Sequence, residues 1–214
     1  MKVTLLCSDT AHPVNSYLQK WMNGKRDVIE VELVRTKSEA RGGDVLFLIS
    51  CSEVLGAQDR GRYAVTLVLH ASDLPHGRGW SPHIWELSRG AESLTLSMLE
   101  ADEKVDAGRI WKKLTVDVPR HALWDEINQL LFVAELELMD FAIEQFGRIV
   151  PIPQPSNVEA TYYPRRTPRD SEIDPSKSIA EQFDLMRVCD PVRFPAFFYH
   201  RGHRYVLKLE KDRG

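Results

Sequence analysis

Residues 69–110 read LHASDLPHGRGWSPHIWELSRGAESLTLSMLEADEKVDAGRI, and this stretch is the most informative part of the chain. His70 directly follows the apolar run 65–69, and Asp106 stands 36 residues later in a Val-Asp-Ala-Gly turn. The carboxyl end of a buried strand is where open α/β sheets bind their ligands. His70 and Asp106 are therefore the first candidates for a functional site.

The patterns on either side of this stretch predict an α/β domain. Run 45–49 is continuously apolar, as a central parallel strand is, whereas 29–34 alternates as a half-buried strand does. The predicted strands are 3–6, 29–34, 45–49, 65–69, 93–99 and 110–116, and the predicted helices are 16–22, 83–89 and 120–146. Connections of these lengths favour right-handed crossovers. We predict a Rossmann-like, mainly parallel sheet flanked by helices.

A second, smaller part is predicted after residue 150. Six prolines between 151 and 175 indicate a connector that runs over the surface. Ser178 and Glu181 form a capping box for a helix ending at Cys189. Segments 197–199 and 204–209 flank Arg201-Gly202 as the strands of a β-hairpin do. The predicted domains are 1–150, and 151–214 as connector plus C-terminal helix and hairpin.

Composition excludes several classes of protein. The 28 Lys and Arg against 31 Asp and Glu give a net charge of −3, which argues against a nucleic-acid partner. Cys7, Cys51 and Cys189 form no CxxC pair, so neither a disulfide framework nor a zinc knuckle is indicated. No stretch approaches the roughly 18 apolar residues of a membrane span. We expect a soluble, cytoplasmic protein without a membrane partner.

The 69–110 stretch resembles the catalytic core of the folate-dependent formyltransferases. That motif runs His-Pro-Ser-Leu-Leu-Pro, then Arg-Gly, a Pro-x-x-Trp helix and Leu-Asp-x-Gly. The matching positions here are His70, Leu74-Pro75, Arg78-Gly79, Pro82, Trp85, Gly90 and Asp106-Ala107-Gly108. The resemblance covers residues 45–146 and implies the formyltransferase fold, with N10-formyltetrahydrofolate as co-substrate.

The resemblance also implies roles for individual residues. His70 would stabilise or protonate the oxyanion of acyl transfer, and Asp106 would hold the imidazole or a water that accepts the amine proton. The implied folate-binding residues are Ser50, Cys51, Ser52, Val54, Asp102, Glu103, Val105 and Asp106. Arg78, Gly79 and Trp80 are the candidate substrate-binding residues, and Trp85 is interpreted as a core residue.

Val68 departs from the family pattern, which places an asparagine there as an oxyanion donor. A lost oxyanion donor typically costs about 2.7 to 4 kcal/mol in the transition state. Ser50, Ser52 and Ser72 are candidate replacements. We prefer Ser50 as a catalytic residue, because it ends the strand predicted to neighbour the one leading into His70.

The other histidines, Cys51 and the basic cluster near residue 165 can be explained without a catalytic or metal-binding role. A metal site usually needs at least three ligand side chains close together. The spacing of five further histidines does not predict such a group with a carboxylate, so no metal site is predicted; these histidines are His76, His83, His121, His200 and His203. Cys51 lies near the implied folate site, but the sequence indicates no base to activate it, and a buried thiol is the commoner case. The basic cluster 165–169 could pair with a diphosphate or belong to a solvated connector.

Segments 163–174 and 194–211 resemble the C-terminal portions of sugar-nucleotide N-formyltransferases of pseudaminic-acid-type pathways. This implies a UDP-linked 4-amino-4,6-dideoxy sugar of the N-acetyl-altrosamine type as acceptor, in surface-glycan biosynthesis. The same analogy suggests a homodimer through the long helix or the hairpin. The alternatives are a non-catalytic folate- or sugar-nucleotide-binding module and a formyltransferase for another amine such as methionyl-tRNA. The length and charge leave no room for the larger basic domain that methionyl-tRNA formyltransferase adds.

Overall fold

The apolar runs before His70 form the centre of a six-stranded sheet in the computed structural model, which describes residues 1–212. In chain order the strands are β1 (Lys2–Leu6), β2 (Glu30–Val34), β3 (Gly43–Leu48), β4 (Tyr63–His70), β5 (Arg78–Gly79), β6 (Ser93–Glu100), β7 (Ile110–Asp117), β8 (Tyr162–Tyr163), β9 (Ala196–His200) and β10 (His203–Leu207). The α-helices are α1 (Val14–Lys25), α2 (Ala57–Arg60), α3 (Pro82–Leu87), α4 (Trp124–Gln145) and α5 (Ile179–Arg187). None of these helices is long and apolar enough to cross a membrane.

The main sheet has the order β2-β1-β3-β4-β6-β7. The neighbours β2, β1, β3 and β4 are parallel, which confirms the predicted mainly parallel sheet. Strand β6 runs antiparallel to β4, and β7 runs antiparallel to β6. The loop 101–109 between β6 and β7 is too short for the crossover that parallel neighbours require, and α3 lies in the longer connection between β4 and β6.

Helices α1 and α4 pack together beside the sheet. The rings of Tyr17 and Phe132 meet edge to face at 5.3 Å, and the Trp21 indole N–H donates to Asp140 Oδ1 at 2.7 Å. The apolar side of α4 also contacts β6 and β7. This layer buries the apolar residues of the sheet and holds its strands in place.

Helix α4 begins at Trp124, four residues after the predicted start at Arg120. The chain first makes a turn in which the Ala122 N–H donates to the Pro119 carbonyl at 2.8 Å. The Glu126 carboxylate then accepts the Leu123 N–H at 2.8 Å. A carboxylate in this position satisfies a free N–H at the helix start, so the helix begins there.

The C-terminal helix and hairpin are present as predicted. The Ser178 hydroxyl accepts the Glu181 N–H at 3.2 Å and caps α5, which ends at Arg187, two residues earlier than predicted. Strands β9 and β10 form the antiparallel hairpin. The buried Arg187 guanidinium donates to the carbonyls of Ala91 and Pro119, at 3.1 and 3.2 Å, and so ties α5 to the main sheet. The domain boundary near residue 150 stays a prediction.

The proline-rich connector does more than span a surface. Its strand β8 pairs in parallel with β5, and the N–H groups of Arg78 and Trp80 donate to the carbonyls of Thr161 and Tyr163 at 2.9 and 3.1 Å. The interpretation of Trp85 as core was wrong. That side chain is only partly buried because its face of α3 is turned to the connector, where the indole stacks on Tyr163 at 6.2 Å.

Candidate active site

His70 ends β4 and is held from both sides of its ring. Only 7% of the residue is exposed. Its Nε2 lies 2.9 Å from the Gly77 carbonyl, which can only accept, so Nε2 carries a hydrogen. Nδ1 faces Asp106 Oδ1 at 3.6 Å, too far for a hydrogen bond but close enough for an ion pair. A second proton on this ring therefore goes to Nδ1, beside a carboxylate.

Asp106 is brought to His70 by the loop 101–109, which joins β6 to β7. Its backbone adopts a left-handed conformation (φ 55°), and its Oδ2 accepts the Gly79 N–H at 2.9 Å. The carboxylate is thus oriented by a backbone donor on one oxygen and faces the imidazole with the other. The predicted pairing of His70 with Asp106 is present in the structure.

Two glycines allow the close backbone contacts on which this pair depends. A Cβ on Gly79 would lie 2.4 Å from the Tyr163 carbonyl oxygen, and a Cβ on Gly108 would lie 1.8 Å from the Glu100 carbonyl oxygen. Real side chains do not approach an oxygen so closely. The Arg-Gly and Asp-x-Gly spacings are therefore steric requirements of the folded loops.

Gln154 joins the loop 101–109 to Arg78, and no pattern in the sequence predicted this role. Its Nε2 donates to the carbonyls of Asp106 and Gly108 at 2.8 and 3.0 Å, while its Oε1 accepts from Arg78 Nη2 at 2.6 Å. The buried Arg78 guanidinium also donates to Tyr162 Oη at 3.2 Å. These contacts give Arg78 a bracing role, and its predicted contact with substrate stays a prediction.

Ser50 lies on the other side of the site. The parallel register of β3 and β4 ends at Leu48 and Val68, so Ser50, two residues after the end of β3, lies at the same edge of the sheet as His70, the last residue of β4. Ser50 is exposed, has a left-handed backbone (φ 47°), and its Oγ lies 3.2 Å from His12 Nε2. Sequence reasoning predicted the place of Ser50 but missed His12, whose loop follows β1 and carries no recognisable motif.

Two further histidines near His70 are held neutral. Burial, and secondarily the Arg193 guanidinium, lower the pKa of His12 to about 4. Burial lowers the pKa of His83 to about 3, and the neighbouring His12, His70 and Arg166 side chains lower it further. The buried Nδ1 of His83 has no hydrogen-bond partner within residues 1–212. Of these three rings, His70 is the one with a carboxylate oxygen within 4 Å.

The loops implied to bind folate have groups that fit it. Val54 and Val105 leave 71% and 59% of their surfaces exposed, one on the loop after β3 and one on the loop 101–109. Exposed apolar side chains on irregular backbone offer contacts for a flat ring and hydrogen bonds for its polar edge. Burial raises the pKa of the Cys51 thiol, so this group stays protonated and is no nucleophile. The other implied contacts lie on the same two loops, at Ser50, Ser52, Asp102, Glu103 and Asp106.

A cationic and aromatic surface borders the pair. Trp80, next to Gly79, is 44% exposed, and the Arg165 guanidinium lies 5.0 Å from the centre of its indole ring. Arg166 lies 5.9 Å from the ring of Trp85. Such a surface offers stacking for a planar base and positive charge for phosphates. Within residues 1–212 no three or more His, Cys, Asp or Glu side chains are grouped so that they could hold a metal ion.

Comparison with known proteins identifies the architecture. No protein-family model matches the chain. Methionyl-tRNA formyltransferases from Protochlamydia amoebophila and Thermodesulfovibrio yellowstonii are 28% and 29% identical over 149 and 142 residues, which is 68% and 66% of this chain. The matched regions are 46% of each relative, so the chain corresponds to about half the length of these curated proteins.

Solved structures match almost the whole chain. Methionyl-tRNA formyltransferase from Clostridium thermocellum superposes with a TM-score of 0.80 at 23% identity, over 95% of this chain and 90% of its own. The chain has the formyltransferase fold. A 4-N formyltransferase from Francisella tularensis gives 0.73 at 15% identity, over 99% and 98%. HypX from Aquifex aeolicus in complex with tetrahydrofolic acid gives 0.75 at 20% identity, over 95% and 36%. These matches confirm the resemblance predicted from the 69–110 stretch.

Proposed function

We propose that the protein transfers a formyl group from N10-formyltetrahydrofolate to the amino group of a nucleotide-linked sugar. The observation that carries the proposal is the buried pair in which His70 Nδ1 faces Asp106 Oδ1 at 3.6 Å. The opposite atom of each group is already fixed, by the Gly77 carbonyl and the Gly79 N–H. A proton on His70 Nδ1 would therefore face the Asp106 carboxylate, which would offset its charge.

Formyl transfer to an amine requires that function. A carbon–nitrogen bond forms to the acceptor, another breaks, and one proton moves from the acceptor nitrogen to the departing nitrogen. The folate supplies the formyl group. His70 Nδ1 can hold the proton because Asp106 offsets its charge, and the protonated ring in turn favours negative charge on the formyl oxygen. Val54 and Val105, with the loops that carry them, would hold the folate.

The acceptor that we propose is a UDP-linked 4-amino-4,6-dideoxy sugar of the N-acetyl-altrosamine type, used for pseudaminic-acid-type glycans. Arg165 and exposed Trp80 support an acceptor with a planar base and phosphates, because they combine a cation with an aromatic face beside Gly79. The similarity of segments 163–174 and 194–211 to sugar-nucleotide N-formyltransferases supports the same class.

A mass-spectrometric assay tests the reaction and the acceptor together. The purified protein is incubated with N10-formyltetrahydrofolate and a panel of UDP- and dTDP-linked amino sugars and methionyl-tRNA. We expect one sugar to gain the mass of one CO group, and His70→Ala to abolish the gain. Exposed His76 offers the matched control His76→Ala, which should retain activity.

The panel also separates the alternatives. Methionyl-tRNA is included because the curated relatives carry that name, although a net charge of −3 does not favour an RNA partner. Formylation of methionyl-tRNA alone would replace the sugar as acceptor. Folate binding without transfer to any amine would support a non-catalytic binding module and refute the proposed enzyme.

A further inference from the structure

The His12 ring has a defined hydrogen position. The Val14 N–H points at Nδ1 from 3.3 Å, so Nδ1 is the acceptor and Nε2 carries the hydrogen. Nε2 lies 3.2 Å from Ser50 Oγ, which must then accept. The ring packs edge to face against Phe132 at 5.7 Å, which restricts its rotation.

The hydrogen of the Ser50 hydroxyl is consequently directed away from His12. Within residues 1–212, Ser50 Oγ has no second hydrogen-bond partner, and the residue is exposed. A hydroxyl that accepts one bond and has no protein acceptor is available to donate to a ligand. The direction of its hydrogen follows from the position of His12.

The turn that presents Ser50 is fixed by its neighbours. A non-glycine residue rarely adopts a left-handed backbone, so other contacts must hold Ser50 in this conformation. Ser8 Oγ donates to the Ser50 carbonyl at 3.3 Å and accepts the Ser52 N–H at 3.0 Å. This turn holds Ser50 just beyond the carboxyl end of β3, at the same edge of the sheet as His70 at the end of the neighbouring β4, whose Val68 side chain cannot donate.

We propose that His12 is a positioning residue that orients the Ser50 hydroxyl to donate a hydrogen bond to the oxygen of the transferred formyl group. The inference rests on the proposed function and deepens it, because it names the donor that stands in for a side-chain donor at Val68. Ser50 touches the reacting group, and His12 acts through Ser50.

Two substitutions at His12 separate this role from packing. In His12→Asn the amide oxygen replaces Nδ1 and keeps the Val14 contact, but the donor to Ser50 is lost. In His12→Gln the amide nitrogen replaces Nε2 and keeps the donor. Loss of one oxyanion donor typically lowers kcat by about 100-fold or more, so we expect a fall of at least tenfold in His12→Asn and less than about threefold in His12→Gln. The KM values for folate and acceptor should stay within about twofold.

The double variant tests whether His12 acts through Ser50. Ser50→Ala should lower kcat by about 100-fold, and adding His12→Asn should lower it no further. Equal losses in His12→Asn and His12→Gln, or a further loss in the Ser50→Ala background, would overturn the inference.

Nitrogen-15 nuclear magnetic resonance of the histidine rings gives a readout that needs no substrate. We expect His12 to be neutral with its hydrogen on Nε2, and Ser50→Ala to shift the Nε2 signal while leaving Nδ1 unchanged. A hydrogen on Nδ1, or an Nε2 signal that does not respond, overturns the inference whatever the turnover. A protein that transfers no formyl group refutes the proposed function and the donor role of Ser50. The spectra would still show whether His12 Nε2 donates a hydrogen bond to Ser50.

Discussion

His70 is the last residue of β4 and His12 lies on the loop after β1, and each ring carries a hydrogen on Nε2 that is directed at an uncharged oxygen. The rings differ at Nδ1. In His70 this atom faces the Asp106 carboxylate at 3.6 Å, whereas in His12 it accepts the Val14 N–H at 3.3 Å. A proton added to His70 gains a negative partner, but a proton added to His12 would meet a backbone N–H. One ring can therefore exchange a proton, and the other can only direct a hydrogen bond.

This difference shows that tautomer and burial do not by themselves define a catalytic histidine. Both rings are largely enclosed and both point Nε2 at an oxygen. The group that faces the second nitrogen decides between proton transfer and positioning. Substitutions that change one ring and leave the other intact can test this distinction.

The largest effect is expected where the proton is exchanged. Asp106→Asn keeps an acceptor for the Gly79 N–H but removes the charge opposite His70 Nδ1. General acid–base catalysis contributes about 100- to 10,000-fold, so we expect kcat to fall by about 1,000-fold with little change in melting temperature. Single-turnover kinetics would measure the fall. A variant with more than a tenth of the wild-type kcat would show that His70 needs no anionic partner.

The stability of the protein in acid should report the neutral state of His12. The pKa of His12 is lowered from 6.5 to about 4 in the native protein. Between these pH values His12 is protonated in the unfolded chain and neutral in the native protein. The stability contributed by the neutral ring is present above pH 6.5 and is lost as the pH falls towards 4, by about 3 kcal/mol. The free energy of unfolding, measured with urea at pH 7 and pH 4, should fall between these pH values by about 3 kcal/mol less in His12→Gln than in the wild-type protein. The control His76→Gln should retain the wild-type loss, and equal losses in all three proteins would contradict a neutral His12.

Loss of Gln154 should disturb the His70–Asp106 pair and leave the His12–Ser50 contact unchanged. Gln154→Leu removes the donors to the carbonyls of Asp106 and Gly108 and leaves buried Arg78 without one partner. Unpartnered buried polar groups cost about 1 to 3 kcal/mol, so we expect the free energy of unfolding to fall by about 2 kcal/mol, and kcat to fall with it. The exposed Gln129 on α4 provides the control Gln129→Leu. The nitrogen-15 signals of His12 should not move in Gln154→Leu, and a shift there would show that the two sides are coupled.

The smallest effect is expected at the outer edge of the site. Trp80→Ala removes the ring that faces Arg165. It changes neither the His70–Asp106 pair nor the His12–Ser50 contact. An exposed cation–aromatic contact contributes about 0.5 to 1 kcal/mol, so the KM for the acceptor should rise by about two- to fivefold while kcat is unchanged. Tyr205→Ala on the hairpin is the matched control. A lower kcat in Trp80→Ala would place this ring in the reaction itself.

The sequence predicted the parts of the molecule that depend on local pattern. Continuous and alternating apolar patterns predicted the strands, and the resemblance of the 69–110 stretch to formyltransferases predicted that His70 and Asp106 lie together. The antiparallel strand β7 was also within reach, because the nine residues 101–109 are too few for the crossover that a parallel neighbour requires.

Other parts depend on contacts between distant segments and left no local signal. Gln154 lies among prolines, and nothing in its neighbours distinguishes it from any polar residue of a loop. His12 becomes informative only when the ends of β1 and β3 meet and bring it to Ser50. The partial burial of Trp85 follows from the path of the connector, which cannot be derived from the helical spacing of its own segment.

The pairing of β5 with β8 separates the sheet from its brace along the chain. All six strands of the main sheet end by Asp117, whereas the contacts that hold Asp106 and Arg78 come from Gln154 and from the strand Tyr162–Tyr163. A chain cut before Gln154 would therefore keep every strand of the main sheet and lose the contacts that hold the loop 101–109 against Arg78.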